Sequence, residues 1–225
     1  TNNNRLIEVD REKNIVWSSD YWKDGLLSDN SNLDYPNHVV ELDNGNFLIS
    51  DRDNNRVVEL DRDGIIHWSY TEVSRQHAPR PLANGNIIIA DSESNKVIEI
   101  DRAGNTVWSF SKGLKWPRRG QRLLNGDTLI TDSRNNRIIR VSRDGVVLEE
   151  YKSNLGTPYE AQLLDNGNIL VCDSQHSRLL ELDSDNKVVW SFSNIIYPKY
   201  PDKPLDLDME LAGTKESSWH IADMV

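Results

Sequence analysis

The apolar positions of this chain fall in short runs that are separated by polar turns. Four runs of mostly apolar residues, FLIS, IIIA, TLIT and ILVC, recur along the chain, and no segment shows a convincing apolar spacing of 3.6 residues. Runs of this length between turn residues predict β-strands. Because these four are nearly continuous, we expect strands that are buried on both faces. The pattern therefore predicts an all-β protein.

The turns recur at a fixed spacing. Asn-Gly pairs, a strong hairpin signal, begin at Asn44, Asn84, Asn125 and Asn166, in steps of 40, 41 and 41 residues. In the copy around the first pair, four strands are predicted, at 38–42, 46–50, 56–60 and 65–70. Four antiparallel strands in a repeat of about 40 residues are typical of a blade of a β-propeller.

The two ends of the chain match parts of one repeat. Residues 1–19 match third and fourth strands, and residues 205–225 match first or second strands, so we expect one composite blade. Such a blade would close a ring of five blades and hide the sheet edges; the alternative is a fragment of a propeller with six or more blades. The other predicted blades are 35–71, 76–111, 116–152 and 157–193, and the long linkers are 20–34 and 194–218.

Residues that recur in every copy are expected to be structural. Tryptophans in the fourth strands predict packing between blades, and Glu149 takes this place in one copy, which predicts a weaker edge. Aspartates end the second strands and predict turns rather than calcium sites, since calcium needs six or more oxygen ligands. The tryptophans are Trp17, Trp68, Trp108 and Trp190, and the aspartates are Asp51, Asp91, Asp132 and Asp173.

Composition and charge exclude several kinds of partner and site. A net charge of −10 argues against a nucleic-acid partner, and no apolar run reaches the roughly 20 residues that membrane insertion requires. The N-terminus, TNNNRLIEVD, predicts no signal peptide. Cys172 is the single cysteine, so no intrachain disulfide is expected, and the histidines lack the close spacing of a metal site. No metal or cofactor is predicted.

Function is expected where the copies differ. The side chains six and seven residues before each Asn-Gly pair differ from blade to blade. These positions are expected to begin the innermost strands, which surround the channel. We expect them to converge near one channel mouth, beneath the two linkers. The candidate residues are His38, His77, Arg118, Arg119, Tyr159, Glu160 and His220. They are interpreted as a site for a small polar or anionic ligand, as solvated rim residues, or as part of a face that binds another protein.

The repeat resembles a known family. The segment WPRRGQRLLNGDTLITDSRNNRIIRVSRDG, from Trp116 to Gly145, resembles the arylsulfotransferase-like propeller repeat, and the repeats are also similar to NHL and quinoprotein-type repeats. The resemblance implies a channel histidine that accepts a sulfuryl group, with His38 and His220 as candidates and arginines to hold the oxygens. The family is often periplasmic or extracellular, but the location of this chain stays open. Whether the chain is an enzyme stays open, and without paired cysteines no quinone cofactor is expected.

Overall fold

The protein is a β-propeller built from antiparallel sheets. Its structure, a computed structural model, describes residues 3–193. Within that range lie one two-stranded sheet and four four-stranded sheets. The expected closing strands at 205–225, the linker 194–218 and His220 lie outside the described residues. No helix within residues 3–193 has the length and apolar character that crossing a lipid bilayer demands.

The sheets follow one another along the chain, and each four-stranded sheet is a meander. The first sheet contains β1 (Ile7–Val9) and β2 (Ile15–Ser18), and the second contains β3 (Pro36–Glu41), β4 (Phe47–Asp51), β5 (Arg56–Leu60) and β6 (Ile66–Tyr70). The third contains β7 (His77–Pro81), β8 (Ile87–Asp91), β9 (Lys96–Ile100) and β10 (Thr106–Phe110). The fourth contains β11 (Pro117–Arg122), β12 (Thr128–Asp132), β13 (Arg137–Val141) and β14 (Val147–Tyr151). The fifth contains β15 (Pro158–Leu163), β16 (Ile169–Asp173), β17 (Arg178–Leu182) and β18 (Val188–Phe192).

The four strands predicted for the second sheet are confirmed within two residues at each end. Single-turn helices add Ser19–Tyr21, Lys23–Gly25, Ser133–Asn135 and Ser174–His176. We call β3, β7, β11 and β15 the inner strands, because each opens its sheet.

The chain forms two compact units, which are described separately. Unit 1 contains Thr1–Ser94 and Ile98–Ser109, and unit 2 contains Asn95–Val97 and Phe110–Val225. In unit 1 one apolar cluster joins the first two sheets through Phe47, Ile49 and Val58, and another joins the second and third through Tyr70 and the isoleucines of β8 and β9. In unit 2 Tyr151 and Ile138 of the fourth sheet pack against Val171 and Leu180 of the fifth. Packing between neighbouring sheets thus supplies the core of each unit.

The linker 20–34 belongs to the core of unit 1. Its side chains Trp22, Leu27 and Leu33 are buried in the cluster between the first two sheets. The indole Nε1 of Trp22 donates to the carbonyl of Arg62 at 3.0 Å. A Cβ at Gly64 would come within 3.0 Å of the Trp22 ring, so this close approach requires glycine. The linker is therefore a packed element and not an open loop.

Each inner strand begins with the same backbone device. A residue one or two positions before the strand has a left-handed backbone, and its N–H donates to an asparagine side chain that belongs to the preceding sheet. The pairs are Tyr35 with Asn4 at 2.9 Å, Arg75 with Asn55 at 2.9 Å, Trp116 with Asn95 at 2.7 Å and Thr157 with Asn136 at 2.8 Å. These four asparagines are themselves left-handed, a conformation that asparagine tolerates well. The recurrent asparagine therefore ties each sheet to the start of the next.

The aspartates that end the second strands hold the same entrances. Asp132 is fully buried and accepts the Lys115 N–H at 2.7 Å, the Asn135 amide at 2.8 Å and Arg137 Nε at 2.6 Å. Asp51 and Asp173 bind equivalent donors. Because protein donors surround these carboxylates, their role is structural.

In the fourth sheet an ion pair takes the place of the recurrent tryptophan that is covered by an arginine. In the second sheet Glu59 binds Arg102, whose guanidinium lies over Trp68 with its Cζ 4.7 Å from the ring centroid. In the fourth sheet Arg140 stands in the place of the glutamate and binds Glu149, which replaces the tryptophan. Glu149 also accepts the hydroxyl of buried Tyr151 at 2.6 Å, so the edge expected to be weak is compensated by charge.

Trp190 is the recurrent tryptophan of the fifth sheet. Its side chain is 46% exposed, and it stacks on Phe192 of its own strand with ring centroids 6.4 Å apart. Its predicted packing against another blade is not observed within residues 3–193.

Candidate functional site

The inner strands do not all enter their sheets in the same register. In β3 a bulge leaves Pro36 opposite Asp51 and His38 opposite Ser50. In β7 His77 itself lies opposite Ala90, and the bulge follows at Ala78, which has φ 45°. The bulge of β7 thus comes later in the strand than the bulge of β3. His77 occupies the place of His38 in its sheet, because the left-handed Ala78 shifts the bulge.

In unit 1 the two predicted histidines lie on neighbouring inner strands. His38 is half-buried on β3. His77 is only 4% exposed, and its Nδ1 lies 3.0 Å from the Arg75 carbonyl and 2.8 Å from Ser92 Oγ. These contacts fix the plane of the His77 ring and engage one of its two nitrogens.

The same region of unit 1 buries amide groups. Gln76 is fully buried, and its carbonyl accepts Ser50 Oγ at 2.9 Å and Asn37 Nδ2 at 3.4 Å. Its side-chain Nε2 donates to the Arg56 carbonyl. Within residues 3–193 the buried Gln76 Oε1 and Asn37 Oδ1 have no hydrogen-bond partner. Two amide oxygens are thus able to accept hydrogen bonds from a group that carries donors.

In unit 2 the inner strands β11 and β15 contact each other through polar side chains. The guanidinium of Arg118 lies over the ring of Tyr159, with its Cζ 4.4 Å from the centroid. Arg119 forms an ion pair with Glu160, and both side chains are largely buried, with 11% and 17% exposed. All four predicted residues of this unit are therefore brought together in two pairs.

The two pairs differ in the interaction that holds each arginine. The charge of Arg119 is compensated by Glu160, so that pair is a structural link between the strands. The guanidinium of Arg118 lies on an aromatic face, and stacking fixes the plane in which its N–H groups point. A planar guanidinium held in this way suits carboxylate, sulfate or phosphate oxygens.

Cys172 lies opposite Glu160 on the next strand of the same sheet. Burial raises the pKa of its thiol to about 11, although the positive charge of Arg119 lowers it. The thiol therefore stays protonated at neutral pH and is a poor nucleophile. No group of three or more metal-ligating side chains occurs in the described range 3–193.

Sequence analysis missed two aromatic residues at the strand entrances. Tyr35 in unit 1 carries the guanidinium of Arg52, whose Cζ lies 3.7 Å from its ring centroid. Trp116 in unit 2 carries Arg134 at 4.0 Å. Each aromatic residue directly precedes a proline that begins an inner strand, and that dipeptide was the available signal.

Comparisons with known proteins agree with this fold. A family model described as "Outer membrane protein assembly factor BamB" matches residues 2–195. No curated protein matches the chain. These findings confirm the predicted propeller repeat, but they do not support its assignment to the arylsulfotransferase-like proteins.

Several solved structures share the fold. A protein of unknown function from Bacteroides caccae aligns with a TM-score of 0.65 and 21% identity, over 85% of this chain and 69% of that one. Virginiamycin B lyase from Staphylococcus aureus aligns with a TM-score of 0.58 and 18% identity, over 72% of this chain and 56% of the lyase. A streptogramin B lyase aligns with a TM-score of 0.59 and 13% identity, over 84% of this chain and 62% of that one. The chain thus spans less than two thirds of either lyase, and likeness at this identity shows the fold alone.

Proposed function

This chain belongs to the propeller family described by the outer membrane protein assembly factor BamB, and we propose that it is a binding domain rather than an enzyme. Its ligand is a polar or anionic group that contacts Arg118 at the start of β11. The name of the family is that of an assembly factor, which favours a binding role.

The observation that carries this proposal is the pairing in unit 2. Glu160 neutralises Arg119, while Tyr159 holds the guanidinium of Arg118 in a fixed plane. Orienting one arginine by stacking reduces the conformational entropy that is lost when it binds an oxyanion. The predicted ligand residues Arg118 and Tyr159 are therefore assigned to ligand contact, and Arg119 and Glu160 to positioning.

Calorimetric titration with sulfate, phosphate and glutarate tests the proposal. Replacement of Arg118 with alanine should weaken binding about tenfold or more, since it removes a charge-assisted contact. Tyr159→Leu should weaken it less, because the charge remains. The matched control is Lys187→Ala, which removes one positive charge from the exposed turn between β17 and β18. The proposal fails if none of the three anions binds, or if Arg118→Ala and Lys187→Ala weaken binding equally.

The alternative function is sulfuryl transfer, which the resemblance to arylsulfotransferase-like proteins implies. Its nucleophile would be His38 or His220, and both assignments stay predictions, as does a ligand contact by His77. The release of nitrophenolate from p-nitrophenyl sulfate, with phenol as acceptor, tests this activity. Transfer that is lost in His38→Ala or His220→Ala would replace the binding proposal with the enzymatic one.

A further inference from the structure

Trp116 and Arg134 form a stacked pair at the entrance of β11 in unit 2, which we call the Trp–Arg platform. The guanidinium Cζ of Arg134 lies 4.0 Å from the centroid of the Trp116 ring. Trp116 has φ 53° and donates its N–H to Asn95 Oδ1 at 2.7 Å. The residue at this position is left-handed before all four inner strands, so the conformation belongs to the scaffold. The fold therefore holds the backbone of Trp116 in a fixed position at the entrance of β11.

The charge of Arg134 distinguishes the platform from its counterpart in unit 1. There Arg52 stacks on Tyr35, but Asp53 binds that guanidinium through two hydrogen bonds of 2.7 and 3.1 Å. In the repeat Arg134 stands at the position of Asp53, two residues after the buried aspartate. Arg134 is exposed, and within residues 3–193 its guanidinium forms no hydrogen bond and no ion pair, whereas its backbone N–H donates to the Lys115 carbonyl at 3.1 Å. Asp53 neutralises the stacked arginine in unit 1, and the equivalent position in unit 2 holds the stacked arginine itself, Arg134.

The surroundings of the platform are basic, although the chain has a net charge of −10. Lys115 is exposed and directly precedes Trp116, and Arg118 follows two residues later. Glu160, the acid on the neighbouring inner strand, is bound by Arg119. A local excess of positive charge beside an aromatic face attracts anions and orients their approach.

The stacked guanidinium determines which anion fits. Its N–H groups lie in one plane and form parallel hydrogen bonds with the two oxygens of a carboxylate, while the indole supplies an apolar face for methylene groups. Glutamate and aspartate side chains combine both features. We propose that the Trp–Arg platform binds the carboxylates of an acidic, extended peptide segment of a protein partner. This interaction surface is additional to the ligand contact at Arg118.

Heteronuclear NMR titration tests the platform. The indole N–H signal of Trp116 is assigned by its loss in Trp116→Phe, and the protein is then titrated with acetylated, amidated hexaglutamate. We expect a saturable shift of this signal and no shift with hexaglutamine. In Arg134→Gln, which introduces the residue type found at the equivalent Gln175, affinity for hexaglutamate should fall about tenfold or more. The matched charge control is Lys187→Gln, which should leave the affinity within about twofold.

Three results would overturn the proposal. One is the absence of a saturable shift in the wild-type protein. Another is equal weakening by Arg134→Gln and Lys187→Gln, which would reduce the effect to net charge. The last is binding of glutarate at this signal as tightly as hexaglutamate, which would point to a small ligand. The Arg118 site is tested separately, by the calorimetric titration with sulfate and the Arg118→Ala variant, so that the platform and the Arg118 site can fail separately.

Discussion

Replacing Asp132 with asparagine should destabilise unit 2, because it removes a buried charge that holds the entrance of β11. The Asp132 carboxylate binds the Lys115 N–H, the Asn135 amide and Arg137 Nε. Asparagine preserves the shape and one acceptor oxygen, but its amide N–H₂ would face the Arg137 donor. Removing one partner from a buried ion pair costs about 3–5 kcal/mol. Since 20% of the Arg137 side chain is exposed and it also binds Glu150, we expect the lower end, about 3 kcal/mol.

Urea unfolding, followed by tryptophan fluorescence, measures this change. For a chain of 225 residues, a loss of about 3 kcal/mol corresponds to a fall of roughly 6–12 °C in Tm. The matched control is Asp144→Asn, which removes an exposed carboxylate from the turn between β13 and β14 and should change stability by less than about 0.5 kcal/mol. A loss below about 1 kcal/mol in Asp132→Asn would refute the assignment of the carboxylate as a structural anchor.

Three further substitutions test the ion pairs of the fourth sheet, the buried linker and the raised pKa of Cys172. Arg140→Glu places a third acid beside Asp127 and Glu149 and should lower the free energy of unfolding in urea by about 2 kcal/mol or more. The triple variant that adds Asp127→Asn and Glu149→Trp should regain this stability. If Arg140→Glu alone is as stable as the wild type, the ion pairs do not compensate for the missing tryptophan. Trp22→Ala should lower the free energy of unfolding by about 3–5 kcal/mol, because it empties part of the buried cluster. A loss below about 1 kcal/mol would show that the linker 20–34 does not contribute to the core. Because the pKa of Cys172 is raised from 9.0 to about 11, the folded state holds this proton more tightly, so the stability it contributes is complete below about pH 9 and is lost as pH rises towards 11. A Cys172→Ser variant should lack that component, and identical pH profiles for the two proteins would disprove the raised pKa.

The sheets could be predicted from the sequence because each carries its own local signals. Asn-Gly turns and apolar runs give every hairpin independently, so errors in one repeat did not affect the next. The bulge in β7 could not be predicted in this way. It depends on the left-handed backbone of Ala78, and alanine gives no signal of that conformation.

The candidate site was predicted only in part. Positions that vary between repeats identified Arg118 and Tyr159, but which side chains pair depends on how neighbouring inner strands align. Trp116 was missed because a residue before proline normally adopts an extended backbone, and nothing in its own identity indicates φ 53°. The conformation is imposed by Asn95, a residue 21 positions earlier that belongs to the preceding sheet.

The most direct test of the account is the location of a bound oxyanion. Crystals soaked in selenate would show it as a peak in an anomalous difference map. The account predicts a peak within about 3 Å of the Arg118 guanidinium nitrogens, and the loss of that peak in Arg118→Ala. A map with no peak at Arg118, or with selenate only at other surface cations, would contradict the claim that this stacked arginine is the binding site of the protein.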